Sequence, residues 1–168
     1  GNDGIDVREA GGATISGNEV YGVAKHGIAV STTVTIADNT VTEVMTYGIY
    51  ARNGAATITG NTLHNIGDNG IRMHKSSTSV DIRDNTIRGT GNDGIDARGM
   101  QVTVADNVVS GSTDNGIKGE DIGAWINIEA NWVLSNTTGI AIRDCPIFTL
   151  TNNIVGDHII GSVELTGG

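Results

Sequence analysis

The sequence is short of cysteine, proline and straight-chain residues, and each shortage excludes a class of protein. Its 168 residues include one cysteine, Cys145, and one proline, so an internal disulfide, a thiolate metal site and a collagen-like fold are excluded. Leucine occurs only four times and lysine three times, which excludes a helical bundle and a doubly wound α/β fold. No apolar run is long enough to span a bilayer, and we expect no membrane insertion.

Basic residues are also scarce. The sequence has 10 lysines and arginines but 19 aspartates and glutamates, so its formal net charge is −9. We therefore expect no nucleic-acid partner. The abundant residues are glycine, at 25, and the β-branched isoleucine, valine and threonine, which make up a third of the chain. Stiff β-branched side chains favour strands, and the regular placement of the apolar residues excludes disorder.

Two independent markers repeat along nearly the whole chain at intervals of 21–24 residues. The first marker is an asparagine in a constant local setting: Asn18, Asn39, Asn61, Asn85, Asn107, Asn131 and Asn153. The second marker is a glycine followed by isoleucine: Gly4, Gly27, Gly48, Gly70, Gly94, Gly116 and Gly139. Two markers with one period indicate a protein built from about seven copies of one structural unit.

Within each unit, apolar side chains alternate with polar ones, as they do in strands that bury one face. A unit of about 22 residues cannot bury that face alone, but stacked units can, with equivalent strands paired in parallel about 4.8 Å apart. The sequence thus predicts an all-β fold. We expect a single-stranded right-handed parallel β-helix of about seven coils, 21–24 residues each, forming one domain over residues 1–168.

The two markers have predicted roles at the turns of each coil. The asparagine suits an inward turn, where its carboxamide bonds the backbone and the asparagine of the next coil. The glycine suits a turn that needs a positive φ angle.

The units VDIRDNTIRGTGNDGIDARG and VTVADNVVSGSTDNGIKGE resemble the repeats of the pectin-lyase-like β-helix superfamily, and the resemblance covers almost the entire chain. It implies the β-helix fold and leaves function open, because that superfamily includes lyases, hydrolases, epimerases, phage tail spikes and surface adhesins. The protein also resembles the β-helix modules of secreted mannuronan C5-epimerases, which carry Tyr-Gly-Phe-Asp-Pro-His on the corresponding strand. In that frame Tyr47 and Gly48 match, whereas Tyr50 and Arg52 replace the acid and the histidine.

Outward positions +2 and +4 after each glycine collect the basic residues of the protein. Six of the ten lysines and arginines fall in these fourteen positions: Arg8, Arg52, Arg72, Arg98, Lys118 and Arg143. Cations repeated about every 4.8 Å suit the carboxylates of a linear polyuronate, so we expect an acidic polysaccharide as partner. The predicted substrate-binding residues are Arg8, Arg52, Asp96, Arg98, Glu120 and Arg143. The alternative is that outward charges pair across coils, as Arg98 with Glu120 or Arg72 with Asp96, and merely solvate a rod.

The same face holds groups suited to β-elimination or epimerisation of a uronate, although whether the protein is an enzyme is left open. Such chemistry needs a carboxylate neutralised, a C5 proton removed and a proton delivered. Arg52 or Arg72 would neutralise the carboxylate, and His74 or Tyr50 would move protons. Lys118 is a second candidate base. The predicted catalytic residues are Tyr50, His74, Arg72 and Lys118.

Two further hypotheses concern carboxylates. Asp96 and Glu120 lie on neighbouring coils, and hydrolysis would require such a pair. Stacked turn pairs before the glycines offer oxygen ligands for Ca²⁺, although such residues are also ordinary in turns. These turn pairs are Asp68-Asn69, Asn92-Asp93 and Asp114-Asn115. Calcium is the one cofactor considered, and its ligands are left unassigned.

Two classes of function follow from these patterns. One is an extracellular or cell-surface module that binds an acidic polysaccharide and, as a lyase or C5-epimerase, acts on it. The other is a non-catalytic structural or adhesive rod of a cell-surface or fibre protein. Because the open ends of a β-helix expose unpaired strands, we expect a module of a larger secreted protein, with ends capped by loops and end-to-end self-association as the alternatives.

Overall fold

Every regular element in the described part of the protein is a β-strand. The computed structural model describes residues 3–9 and 11–167, and these contain twenty strands and no helix. The described part of the protein accordingly has no helix long and apolar enough to cross a membrane. Paired strands run parallel throughout, as stacking of equivalent units requires.

The strands fall into three columns along the rod. The first column consists of β1 (Ile5–Val7), β4 (Ile28–Val30), β7 (Ile49–Ala51), β10 (Ile71–Met73), the first parts of β13 (Ile95–Ala105) and β15 (Asn115–Glu129), β17 (Thr138–Arg143) and β20 (Gly161–Thr166). The second consists of β2 (Ala13–Ser16), β5 (Val34–Ala37), β8 (Gly54–Thr59), β11 (Ser77–Arg83), the last parts of β13 and β15, and β18 (Phe148–Thr151). The third consists of β3 (Glu19–Tyr21), β6 (Thr40–Val44), β9 (Thr62–Ile66), β12 (Thr86–Thr90), β14 (Val108–Ser112), β16 (Trp132–Leu134) and β19 (Ile154–Gly156).

One strand from each column makes a coil, and the described residues form seven coils plus the first strand of an eighth. That extra strand, β20, pairs with β17 although its sequence lacks the Gly-Ile marker. The first two columns join in one 13-stranded sheet, because β13 and β15 run through the corner between them, and the third column is a separate 7-stranded sheet. The predicted all-β solenoid of about seven coils is confirmed.

Inward side chains of the three columns meet in one apolar core. Isoleucines at equivalent positions stack in register, and Ile49, Ile71 and Ile95 are completely buried. Burying such a side chain stabilises the fold by about 1.5–3 kcal/mol relative to leaving it exposed. Phe148, which the alternation places inward, is 43% exposed, because no described strand of the second column lies beyond β18.

The recurrent asparagines form the predicted ladder at the corner between the second and third columns. Asn85 is buried, and its Nδ2 donates to the carbonyl of Arg83 at 2.8 Å and to that of Ile58 at 2.9 Å. The same Nδ2 donates to Oδ1 of Asn107 in the next coil at 3.0 Å. Its Oδ1 accepts from the backbone N–H and the Nδ2 of Asn61 at 2.9 and 3.0 Å. One carboxamide thus pairs buried groups of three coils, which an apolar side chain would leave unpaired.

The recurrent glycines have a different role from the predicted one. None of these seven glycines, all within the described residues, has a positive φ. A Cβ on Gly70 would lie 2.6 Å from the carbonyl oxygen of Gly94 and 2.7 Å from Cγ2 of Ile87. The prediction of a positive-φ turn is therefore wrong, and the close approach of backbone and side chains between coils is what excludes a side chain here.

Positive φ occurs instead at the residue before each ladder asparagine. These residues are Gly17, Asp38, Gly60, Asp84, Asp106, Ala130 and Asn152, with φ between 54° and 67°. Glycine, asparagine and aspartate visit this left-handed region readily, whereas the Cβ of other residues costs about 1–2 kcal/mol there. Ala130, with φ 55°, is the one residue of the series outside the tolerant types.

We expect Ala130→Gly to raise the free energy of unfolding by about 1 kcal/mol, because it removes the Cβ from a left-handed position. The matched reverse change is Gly17→Ala, where φ is 66° and an added Cβ would meet no atom within 4 Å. It should lower the free energy of unfolding by a similar amount. Urea titrations of both variants would check this expectation. A change in the free energy of unfolding in the same direction for both variants would contradict it.

Candidate ligand-binding face

The outer side of the first column presents three residues per coil: the residue before the recurrent glycine and residues +2 and +4 after it. We call this surface the first-column face. From the first to the seventh coil it consists of Asp3, Asp6, Arg8; His26, Ala29, Ser31; Tyr47, Tyr50, Arg52; Asn69, Arg72, His74; Asp93, Asp96, Arg98; Asn115, Lys118, Glu120; and Thr138, Ala141, Arg143. Because the strands stack in register, residues at one position form a row along the rod.

Asp96 is the centre of an ion-pair network in coils four to six. Its Oδ2 lies 2.8 Å from Arg72 Nη1, and its Oδ1 lies 2.9 Å from Arg98 Nε. Asn69 Nδ2 donates to the same Oδ2 at 3.3 Å. The Asp96 side chain is 0% exposed. The expectation of an accessible carboxylate at this position is wrong, because two guanidinium groups close over it.

Arg98 extends this network to the next coil. It contacts Glu120 Oε2 at 2.5 Å and Asp121 Oδ2 at 2.7 Å. Burial lowers the pKa of Arg98, but its hydrogen bond to Asp96 and the three surrounding carboxylates raise that pKa overall. Lys118 Nζ lies 3.0 Å from Glu120 Oε2. Three residues predicted to bind or transform substrate therefore bind one another, as the alternative of pairing across coils expected.

This pairing bears on the hydrolysis hypothesis. Arg98 contacts both Asp96 and Glu120, so both carboxylates are engaged in ion pairs, whereas hydrolysis needs one carboxyl held neutral as an acid. The carboxyl with a raised pKa is instead Asp93, and burial is the main cause. Asp93 is 1% exposed, and its Oδ1 accepts from Asn115 Nδ2 at 2.7 Å. A buried acid in this position has no open path to a polysaccharide.

The oxygens considered for calcium are engaged by amide donors. Asn92 Nδ2 donates to Asp68 Oδ1 at 3.1 Å, and the backbone N–H of Asp93 donates to Asn69 Oδ1 at the same distance. The residues that the structure describes include no group of three or more histidine, cysteine, aspartate or glutamate side chains able to hold a metal ion. Calcium binding stays a prediction from the turn sequences.

Both ends of the first-column face carry further ion pairs. Arg8 Nη2 lies 2.6 Å from Asp6 Oδ2, and the hydrogen bond from Arg8 lowers the pKa of Asp6. Arg143 Nη2 lies 3.6 Å from Glu164 Oε2, which belongs to the unpredicted strand β20. The cations at the two ends are thus partly neutralised, although Arg8 stays largely exposed.

Arg52 differs from the other arginines of the face. Its Nε donates to Ser31 Oγ at 2.8 Å, and no ion pair within residues 3–9 and 11–167 includes it. Its side chain is exposed. A guanidinium without a carboxylate partner is free to receive one from a ligand.

Arg52 borders a cleft of about 100 Å³ in the first three coils. The floor is Ala29, whose small side chain is buried and leaves a gap in the row that Asp6 and Tyr50 otherwise fill. The other lining residues are Asp3, Arg8, Lys25, His26, Val30 and Ser31. The cleft thus combines charged groups of both signs with an imidazole and a phenol.

Three aromatic rings pack together at the wall of this cleft. The rings of His26 and Tyr47 stack in parallel with centroids 4.9 Å apart, and Tyr50 lies 5.4 Å from His26. The guanidinium of Arg72 lies 5.3 Å from the Tyr47 centroid, in cation–π contact. Burial lowers the pKa of His26, and Thr46 Oγ1 lies 2.8 Å from its Nδ1. The imidazole is therefore neutral at neutral pH and able to accept a proton.

The structure brings some of the predicted catalytic residues together and keeps others apart. Tyr50 and Arg52 share the cleft, but His74 and Lys118 are not among the described residues that line it. His74 Nδ1 accepts from the backbone N–H of Ser76 at 3.2 Å and lies 2.8 Å from Ser76 Oγ. The histidine beside Tyr50 is His26, which was not among the predicted site residues.

The row that contains His26 was readable in the sequence. It is the residue before each recurrent glycine, which is polar or aromatic in every coil. The members are Asp3, His26, Tyr47, Asn69, Asp93, Asn115 and Thr138. Reading these positions as turn residues missed that their side chains join the first-column face, as the contacts of His26 with Tyr50 and of Asn69 with Asp96 show.

Comparison with known proteins identifies a family for this architecture. A family model described as a right handed beta helix region matches residues 30–168, which is most of the sequence and includes Tyr50, Arg52 and the whole Asp96 network. The match supplies the right-handed sense of the coils. No curated protein matches the sequence.

We expect Arg98→Ala to lower the free energy of unfolding by about 3 kcal/mol, because it strips one partner from the fully buried Asp96. The matched control is Arg52→Ala, which removes an exposed arginine of the same row and should change stability by less than about 0.5 kcal/mol. Thermal or urea unfolding of the two variants would check the contrast. Similar losses for both would contradict the structural role assigned to Arg98.

Proposed function

The chain belongs to the right-handed β-helix family, and on that premise we propose that its first-column face binds an acidic polysaccharide in the first three coils. The coils present equivalent positions about every 4.8 Å, a repeat close to that of sugar residues along a polyuronate. The three rows of the first-column face run along the rod and give such a polymer a straight track. An extracellular or cell-surface location goes with such a ligand.

The observation that carries this proposal is the unpaired guanidinium of Arg52. Elsewhere in the first-column face, Arg8, Arg72, Arg98 and Arg143 each have a carboxylate partner within the protein. Arg52 instead donates to the hydroxyl of Ser31, and it borders a cleft of about 100 Å³, which is large enough for a small polar group. Arginine pairs with planar carboxylates through two parallel hydrogen bonds, so a uronate carboxylate suits this position.

The same cleft supports the lyase or C5-epimerase chemistry considered from the sequence. Arg52 would neutralise the carboxylate, and the neutral imidazole of His26 would accept the C5 proton. The Tyr50 hydroxyl, on a ring whose centroid lies 5.4 Å from that of His26, would deliver a proton. In this hypothesis His26 takes the role that the sequence assigned to His74.

The ion pairs in coils four to seven favour the second candidate function, a structural or adhesive rod, for that part of the protein. Ion pairs such as Arg98 with Glu120 join adjacent coils and leave few free charges for a ligand. A rod built this way is suited to a structural or adhesive role without catalysis. We therefore restrict the proposed binding site to the N-terminal half of the first-column face.

Calorimetric titration with an oligogalacturonate tests the proposal. We expect binding that weakens as salt is added and that Arg52→Ala weakens at least about tenfold, since a hydrogen bond to a charged group contributes roughly 1.5–3 kcal/mol.

The matched control is Arg88→Ala, because Arg88 is also exposed and absent from the ion pairs of the described residues, but lies on β12 in the third column. It should bind as the unmodified protein does. Absence of binding to oligogalacturonate, oligoalginate and glycosaminoglycan oligosaccharides would support the rod instead, and equal losses in both variants would show that binding is diffuse.

A further inference from the structure

The corner after β7 carries an asparagine followed by glycine, a sequence that also occurs at two other places. The three pairs are Asn53-Gly54, Asn69-Gly70 and Asn115-Gly116. We propose that Asn53 is a modification site, at which the protein deamidates itself and places a new carboxylate next to Arg52. The contrast between Asn53 and the other two asparagines carries this inference.

Asn53 is exposed and its carboxamide is activated by a neighbour. Its φ is 60°, so it lies at a left-handed corner between strands. The hydroxyl of Ser76, in the next coil, donates to Asn53 Oδ1 at 2.7 Å. When a nucleophile attacks Cγ, negative charge develops on that oxygen, and a hydroxyl already in place stabilises it as an oxyanion-hole donor does.

His74 holds this donor in place. Its Nδ1 accepts the backbone N–H of Ser76 at 3.2 Å and lies 2.8 Å from Ser76 Oγ. With that N–H occupying the lone pair of Nδ1, the Ser76 hydroxyl proton is directed to Asn53 Oδ1. The contact of His74 with Ser76, which the proposed ligand cleft does not use, thus has a role of its own.

The reaction needs only the protein and water. The backbone nitrogen of Gly54 attacks Cγ of Asn53, a new bond forms between these two atoms, and the Gly54 N–H proton passes to solvent. Nδ2 of Asn53 takes a proton from water, the bond from Cγ to Nδ2 breaks and ammonia leaves, which gives a five-membered succinimide. Water then opens the ring at either carbonyl and yields aspartate or isoaspartate with one new negative charge. Gly54 favours the attack because it carries no side chain of its own next to the attacking nitrogen.

The other two asparagines are held away from this reaction. Asn69 is completely buried, with its Nδ2 bound to Asp96 and its Oδ1 bound to the backbone N–H of Asp93. The Gly70 nitrogen that would attack already donates to the carbonyl of Asp93 at 3.0 Å. Asn115 is also completely buried, and its Nδ2 donates to Asp93 Oδ1 at 2.7 Å. The two buried Asn-Gly pairs therefore serve as internal controls for the exposed one.

The new carboxylate would act on the ligand-binding face. It would follow Arg52 directly in the sequence, one coil from His74, where it competes with a ligand carboxylate for the exposed guanidinium. This consequence rests on the proposed function, whereas the modification itself does not.

Peptide mass mapping of the folded protein during incubation at mildly alkaline pH tests the modification. We expect a gain of about 1 Da with isoaspartate at Asn53 and none at Asn69 or Asn115 over the same period. Ser76→Ala should slow the gain at Asn53 at least about tenfold, as loss of an oxyanion donor does. In concentrated urea the three sites should react at similar rates. Equal rates in the folded protein, or an unchanged mass at Asn53, would overturn the proposal.

Oligogalacturonate titration of Asn53→Asp, with Asn65→Asp at an exposed position of β9 in the third column as control, tests the consequence. We expect the first variant to bind less tightly than the unmodified protein and the second to bind equally well. Equal binding by Asn53→Asp would overturn the regulatory consequence and leave the proposed function intact. Failure of the unmodified protein to bind would overturn the proposed function and leave the mass-mapping result as it stands.

Discussion

The ladder of buried asparagine side chains is the interaction on which the rest of the structure depends. Within the ladder a carboxamide pairs with backbone groups of its own coil and of the preceding coil and with the carboxamide of the next coil, as Asn85 does with Ile58 and Asn107. Sliding one coil against the next would leave these groups unpaired inside the protein, at about 1–3 kcal/mol each. The ladder therefore fixes the register, and every other row of side chains inherits it.

A fixed register has consequences for the surface. Equivalent positions lie one strand spacing apart, so like charges in one row would repel one another. In coils four to seven the protein avoids this by interleaving acids with bases, and Arg98 binds carboxylates of its own coil and of the next. In coils two and three it uses small and aromatic side chains instead, which leaves Arg52 unpaired beside the gap over Ala29. The same constraint thus separates a neutralised half from an open half.

The fold was predictable because it depends on periods. The repeat of about 22 residues and the alternation of apolar with polar side chains along each strand predict that Ile49, Ile71 and Ile95 point inward, without knowledge of any contact. The glycine row was recognised and misinterpreted, since the sequence does not distinguish a positive φ from a close approach between coils. The eighth first-column strand, β20, was missed because it pairs through its backbone and lacks the marker residues.

The site was less predictable, because it depends on how far side chains reach between coils. Asp96 occupies an outward position, but two long arginines from its own and the preceding coil fold over it. His26 precedes a glycine and lies outside the +2 and +4 positions that the sequence marked as outward, yet it stacks on Tyr47 and contacts Tyr50. Neither outcome follows from alternation, which gives the direction of a side chain and not the position of its end.

The division of the first-column face into an open and a neutralised half is the central claim, and amide chemical shifts of the isotope-labelled protein test it most directly. Titration with an oligogalacturonate should shift amides around Ala29, Tyr50 and Arg52 and leave those around Asp96, Lys118 and Arg143 unchanged. Shifts spread evenly along all seven coils, or centred on the Asp96 network, would contradict it.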